Sequence, residues 1–152
     1  MSFRSMKKEG NRMIRSVPYL NFQYSLEALA FYEKLGATIT TVTKMSDPMF
    51  ADMPDEERAN SEFVMNASFT MFDQLIYCSD SWGNQPVDHA GSNLCFTFDQ
   101  NNDEDIAQIE LLFAKAEELG CEITMPLEAV EWSERFGMFR DPFGVTWLLS
   151  GE

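Results

Sequence analysis

An eleven-residue pattern recurs in this chain. Ala30-Phe31-Tyr32-Glu33-Lys34-Leu35-Gly36-Ala37-Thr38-Ile39-Thr40 aligns with Ala114-Lys115-Ala116-Glu117-Glu118-Leu119-Gly120-Cys121-Glu122-Ile123-Thr124 at a constant spacing of 84 residues, with six of the eleven positions identical. Such self-similarity indicates one supersecondary unit used two times. Each copy reads as a helix that stops at Gly36 or Gly120 and turns into a strand, because glycine adopts the left-handed conformation of a helix C-terminus without steric cost. A chain of 152 residues is ordinary for one domain and short for two independent ones, so the halves are expected to share a core.

The flanking patterns extend the repeat. Ile14 to Phe22 reads as a strand with Val17, Tyr19 and Asn21 on one face and Leu20 and Phe22 on the other. Ser25 is the expected helix N-cap, and Ala28, Phe31, Tyr32 and Leu35 follow the stripe of a helix buried on one side. In the second half, Asn93 to Phe98 alternates, an acidic turn covers Asp99 to Asp105, and Ile106, Ile109, Leu112, Phe113 and Ala116 form the next helical stripe. After Gly36 come a strand (Ala37 to Lys44), an acidic loop (Met45 to Asn60) and a hairpin of Glu62 to Thr70 with Gln74 to Ser79 about Phe72-Asp73. After Gly120, Cys121 to Met125, Arg135 to Arg140 and Val145 to Leu149 read as short strands, separated by Pro126 and by the Asp141-Pro142-Phe143-Gly144 turn. Each half is therefore β-α-β-β-β, and the fold class is α+β. The expected organisation is a flexible basic tail (1–12), a first module (13–80), a linker (81–91) and a second module (92–152).

Charge and composition narrow the partners. The net charge is −14, and the first twelve residues hold Arg4, Lys7, Lys8 and Arg12, so the rest is more acidic still. That balance repels phosphate backbones and anionic headgroups, which argues against nucleic acid and membrane partners. No run approaches the roughly 20 apolar residues of a membrane span. Met1 to Arg12 has no apolar segment of a secretory signal, and three cysteines (Cys78, Cys95, Cys121) fit reduced thiols in a cytoplasm.

Several motifs carry a resemblance. Pro18-Tyr19-Leu20-Asn21-Phe22, Ala30-Phe31-Tyr32, Cys78-Ser79-Asp80-Ser81, Met125-Pro126-Leu127 and the segment from Trp132 through Arg135-Phe136-Gly137-Met138, Asp141, Phe143-Gly144-Val145 and Trp147 resemble the vicinal oxygen chelate superfamily. That superfamily holds glyoxalases, bleomycin-resistance proteins and extradiol dioxygenases, and the likeness is to its PhnB-like group. It runs from about Met13 to Leu149. The resemblance implies two βαβββ modules forming a curved mixed sheet cleft, a small organic molecule as ligand, and a homodimer. It also implies a divalent metal on four side chains, at positions corresponding to Val17, Tyr77, Asn93 and Leu148. A catalytic metal needs lone-pair donors from His, Glu or Asp, so no metal and no other cofactor is expected here. A histidine often found in the group is replaced by Asn66, an amide that only donates and accepts hydrogen bonds.

The expected ligand-binding residues are Tyr19, Asn21, Asn66, Ser68, Tyr77, Trp132, Phe136 and Met138, an apolar lining with a few amides and hydroxyls. On β alternation Val64, Asn66 and Ser68 face the cleft, whereas Phe63, Met65, Ala67 and Phe69 face a helix. His89, the single histidine, is expected to be a solvated loop residue, and the cysteines buried spectators. No Gly-rich strand-to-helix turn is present to cradle a nucleotide or S-adenosylmethionine. The expectation is a metal-free small-molecule-binding protein. The alternative is a glyoxalase- or dioxygenase-like enzyme with a displaced metal or carboxylate site, for which Glu131, Glu134 and Asp80 are the best donors.

Overall fold

The computed structural model describes residues 14–52 and 62–152. The basic tail and the acids Asp55, Glu56 and Glu57 of the long loop lie outside the described residues. The first module comprises β1 (Tyr19–Phe22), α1 (Ser25–Leu35), β2 (Thr38–Lys44), β3 (Val64–Met71) and β4 (Gln74–Asp80), its sheet ordered β1-β4-β3-β2. The second comprises β5 (Asn93–Phe98), α2 (Asp103–Glu118), β6 (Glu122–Val130), β7 (Ser133–Arg140) and β8 (Thr146–Gly151), ordered β5-β8-β7-β6. In each sheet the first strand pairs parallel with the last, and the other pairs are antiparallel. The fold is thus the duplicated α+β unit that the repeat implies.

Local details depart from the sequence reading for physical reasons. β1 begins at Tyr19 rather than Ile14. Its partner β4 starts at Gln74, and Tyr77, opposite Tyr19, already donates its N–H to Pro18 O at 2.9 Å. Ser25 does not cap α1 but is its first, buried residue, and its N–H donates to Asp80 Oδ1 at 2.6 Å. A carboxylate 55 residues away does what a local cap would do, at the end of the helix that favours negative charge. α2 is capped locally, with Asn102 Oδ1 accepting from the Asp105 N–H at 3.0 Å.

Pro126 does not end a strand. It lies inside β6, an edge strand, where a missing N–H interrupts no ladder on its free side. β6 and β7 consequently form a hairpin that puts Trp132 near its tip, 65% exposed. The β3–β4 hairpin turns through Phe72 and Asp73 with φ of 52° and 60°, the pair of positive values that a tight type I′ connection needs. Val64, expected on the cleft face, is fully buried in the core. The pairing shifts register between Thr43 and Lys44, so the alternation slips by one residue at this end of β3.

The two modules share one core, and it lies between their sheets. Tyr32 of α1 stacks on Phe69 of β3 with ring centroids 5.2 Å apart, and also meets Trp147 of β8 at 5.6 Å. Trp147 in turn stacks on Phe96 and on Phe139, each at 5.6 Å. In a continuous eight-stranded sheet with β1 beside β5, β3 and β8 would stand four strand spacings apart, about 19 Å. Contact through one tyrosine ring requires instead that the helix-bearing sides of both sheets face each other. The opposite side of each sheet, here called its open face, points away from the shared core.

Candidate functional site

The open face of the first sheet carries hydroxyls and amides. One register row runs from Thr41 to Ser68, Tyr77 and Tyr19, crossing all four strands. A bulge at Thr40 lets Ser68 Oγ approach Thr40 Oγ1 and Thr41 Oγ1, each at 2.6 Å. The rings of Tyr19 and Tyr77 meet edge to face at 6.3 Å. In the next row Asn21 Nδ2 donates to Ser79 Oγ at 2.9 Å, and Asn66 stands exposed opposite Thr43.

The open face of the second sheet is different in kind. Its central row is Cys95, Leu148, Met138 and Met125, soft and apolar throughout. The adjoining row is Thr97, Ser150, Phe136 and Glu128, with Trp132 packed edge-on against Phe136 at 5.4 Å. On the other side lie Asn93, Thr146, Arg140 and Glu122, so the guanidinium-bearing residue stands directly opposite a carboxylate-bearing one.

The expected ligand-binding residues therefore form two groups. Tyr19, Asn21, Asn66, Ser68 and Tyr77 come together on the first sheet, and Trp132, Phe136 and Met138 on the second. In a single chain the groups look in opposite directions across the shared core. A cavity of about 500 Å³ opens where the edges of β1 and β5 approach, bordered by Val17, Tyr19, Gln74, His89, Asn93 and Cys95 among others. Of the eight expected residues only Tyr19 borders it.

The sequence model of the Glyoxalase/Bleomycin resistance protein/Dioxygenase superfamily matches residues 100–149. Protein PA1353 from Pseudomonas aeruginosa is similar in structure, with 27% identity and a TM-score of 0.69 over 91% of this chain and 98% of that one. Residues 100–149 thus resemble this superfamily in sequence, and the chain as a whole is similar to PA1353 in fold. The PhnB protein from Bacillus cereus shares the fold at 24% identity, with a TM-score of 0.57 over 93% of this chain and 100% of its own. So does a variant of the fosfomycin resistance protein FosX from Listeria monocytogenes, complexed with manganese and dihydroxypropylphosphonic acid. Its identity is 13% and its TM-score 0.60, over 93% of this chain and 94% of that one. No curated protein matches the sequence.

The metal that the glyoxalase superfamily implies does not fit this donor set. Val17 and Leu148 have no lone pair to give, and Asn93 and Tyr77 are neutral. Among the described residues no three of His, Cys, Asp and Glu cluster closely enough to hold an ion. The displaced-site donors fare no better as a group. Asp80 is buried and spends its oxygens on the N–H groups of Ser25 and Val64, whereas Glu131 and Glu134 are exposed at the β6–β7 hairpin.

Other residues correct the sequence reading. His89 is not a freely solvated loop residue: its ring lies 5.4 Å from that of Phe22, and its Nε2 is buried without a hydrogen-bond partner. Cys95 is exposed, while Cys78 and Cys121 are buried as expected. Burial pushes the Cys78 thiol up to about 12 and the Cys121 thiol up to about 11. Asp141 has no role in the sequence reading beyond a turn and a motif of the resemblance, yet its carboxylate is the principal polar joint between the modules. Oδ2 accepts from the Tyr32 hydroxyl at 2.5 Å and from Trp147 Nε1 at 3.0 Å, and Oδ1 from the N–H groups of Phe143 at 2.9 Å and Val145 at 3.0 Å. Burial, then the neighbouring Asp141 charge, raises the pKa of Tyr32 well above its ordinary value. The available signal was an Asp in a turn followed six positions later by Trp, together with a Tyr on the buried stripe of α1.

Proposed function

We propose that this chain is a metal-free binding protein for a small organic molecule and that it works as a homodimer. Each cleft is formed by the first open face of one copy and the second open face of the other. The observation that carries the reading is that the two groups of expected site residues stand on opposite sides of one core, so a second copy is needed to bring them together. A twofold arrangement satisfies both faces at once and closes without leaving either unpaired. Further support comes from the large side chains these faces expose, Tyr19 at 50% and Trp132 at 65%, which is where a partner or ligand would gain most.

Binding rather than turnover follows from the residues available. The positions that the resemblance assigns to a metal hold Val17, Tyr77, Asn93 and Leu148, and Asn66 supplies an amide that cannot transfer a proton near neutrality. The free thiols of Cys78, Cys95 and Cys121 suit a reducing cytoplasm. Light scattering tests the assembly and is expected to give the mass of two chains; one chain's mass removes it. A thermal-shift screen with a metabolite library is expected to yield at least one stabilising compound. Protein purified without chelator is expected to carry no stoichiometric zinc, iron, nickel or manganese. A full complement of any of them refutes the metal-free reading.

A further inference from the structure

The two open faces differ in a way that selects ligand chemistry. No paired open-face position of the first sheet carries a formal charge, and Thr41, Asn66, Ser68, Tyr77, Tyr19 and Asn21 are among them. This is notable in a chain of net charge −14. The two charged residues of these four strands are placed elsewhere. Asp80 is turned inward onto α1 and β3, and Lys44, at the end of β2, pairs with Glu62. Three groups on the face, the Asn66 amide and the hydroxyls of Tyr19 and Tyr77, make no side-chain hydrogen bond within the described residues, whereas Asn21, Ser68 and Ser79 are already satisfied.

We propose that the cleft selects an uncharged ligand with two unlike ends: a hydroxyl- or amide-rich portion held by Asn66, Tyr77 and Tyr19 of one copy, and an aromatic or aliphatic portion held by Trp132, Phe136 and Met138 of the other. The proposal rests on the dimeric-cleft reading and adds the ligand class to it. An ionised group set against the first face gives up water without gaining a countercharge, and that desolvation penalty is not repaid. A hydroxyl set there exchanges one neutral hydrogen bond for another at little cost. The acidic chain also repels anions at longer range. Arg140 belongs to the second open face, and there it stands directly opposite Glu122, whose carboxylate offsets its charge.

The test uses the intact protein and three compounds that share an aromatic end. These are p-nitrophenyl β-glucoside (neutral), p-nitrophenyl phosphate (anionic) and 4-nitrophenethylamine (cationic), each titrated by calorimetry. The glucoside is expected to bind tightest, by about tenfold or more, equivalent to about 1.4 kcal/mol. Asn66→Ala and Trp132→Ala, both at exposed positions, are each expected to weaken it about tenfold without changing the mass by light scattering. Phosphate or amine binding as tightly as the glucoside overturns the ligand class and leaves the cleft reading standing. Loss of glucoside affinity in Asn66→Ala but not in Trp132→Ala overturns the shared cleft. No binding of any of the three defeats both.

Discussion

Tyr32→Phe removes one hydroxyl and leaves the ring in place. That hydroxyl donates to Asp141 across 109 residues of sequence, with both partners buried, and so joins the helix of the first module to the last turn of the second. A hydrogen bond to an ionised acceptor is worth about 1.5–3 kcal/mol. The carboxylate keeps three other donors, from Trp147, Phe143 and Val145, so the loss should be nearer 2 than the ~3–5 kcal/mol of a stranded buried charge. For a chain of this size about 2 kcal/mol lowers Tm by about 4–8 °C. Urea unfolding followed by tryptophan fluorescence should show a lower midpoint with an unchanged slope, because the surface exposed on unfolding is the same. Asp141→Asn keeps the shape but turns an N–H toward at least one of the four donors, and should cost more, about 3–5 kcal/mol. Once Asp141 is neutral the Tyr32 hydroxyl has lost its strong acceptor, so Tyr32→Phe should then cost well under half as much. A single-mutant loss below about 0.5 kcal/mol, or additivity of the two changes within about 0.5 kcal/mol, would refute the idea that this bond couples the modules.

Stability should decline on the alkaline side. Burial raises the Cys78 thiol to about 12 and the Cys121 thiol to about 11 from 9.0, and Tyr32 well above 10.0. The folded chain holds these protons where the unfolded chain releases them, so the stability they contribute is intact below pH 9 and is lost as pH rises toward the folded values. The expected fall is about 1.4 kcal/mol per pH unit for each group in its window; urea titrations that stay flat from pH 8 to 11 would contradict it. A thiol reagent such as Ellman's at pH 8 should label one cysteine per native chain quickly, the exposed Cys95, and reach Cys78 and Cys121 only in denaturant. Three equally fast thiols would be inconsistent with the burial described. Gly137→Ala should destabilise by about 1–3 kcal/mol, because the added methyl would stand 2.4 Å from the Phe113 ring and 3.1 Å from the Leu127 backbone. An unchanged denaturation midpoint would show that α2 and β6 can yield there.

What the sequence made legible were the features set by short-range physics. The stripe of α1, the alternation of Leu94, Phe96 and Phe98, and the paired turn residues Phe72 and Asp73 each belong to one element, and each element forms. Features that depend on a distant partner were hidden. Asp80 looks like a free carboxylate until Ser25 and Val64 are seen to donate to it, and Pro126 looks like a strand breaker until β6 proves to be an edge. Val64 changed sides because of a register shift between β2 and β3, which no pattern within either strand displays.

The candidate site shows the same boundary at a larger scale. Alternation separates the core-facing from the open positions of most strands, and it puts Asn66, Tyr77, Phe136 and Met138 at open-face positions. It cannot say whether two similar modules stand side by side or back to back, since both arrangements bury the same apolar faces of strands and helices. The choice is made by side chains that reach beyond their own module. Tyr32 extends from α1 to touch Trp147, and its hydroxyl reaches Asp141. Phe72 likewise reaches Phe96, and Phe143 crosses the other way onto Phe31. Each contact joins halves 24 or more residues apart in sequence and consumes helix-side surface, so together they commit the open faces to the outside. The aromatic residues thereby join the modules, and the two open faces are left outside the shared core. Weakening that aromatic joint should therefore loosen the monomer before it alters the chemistry of either open face.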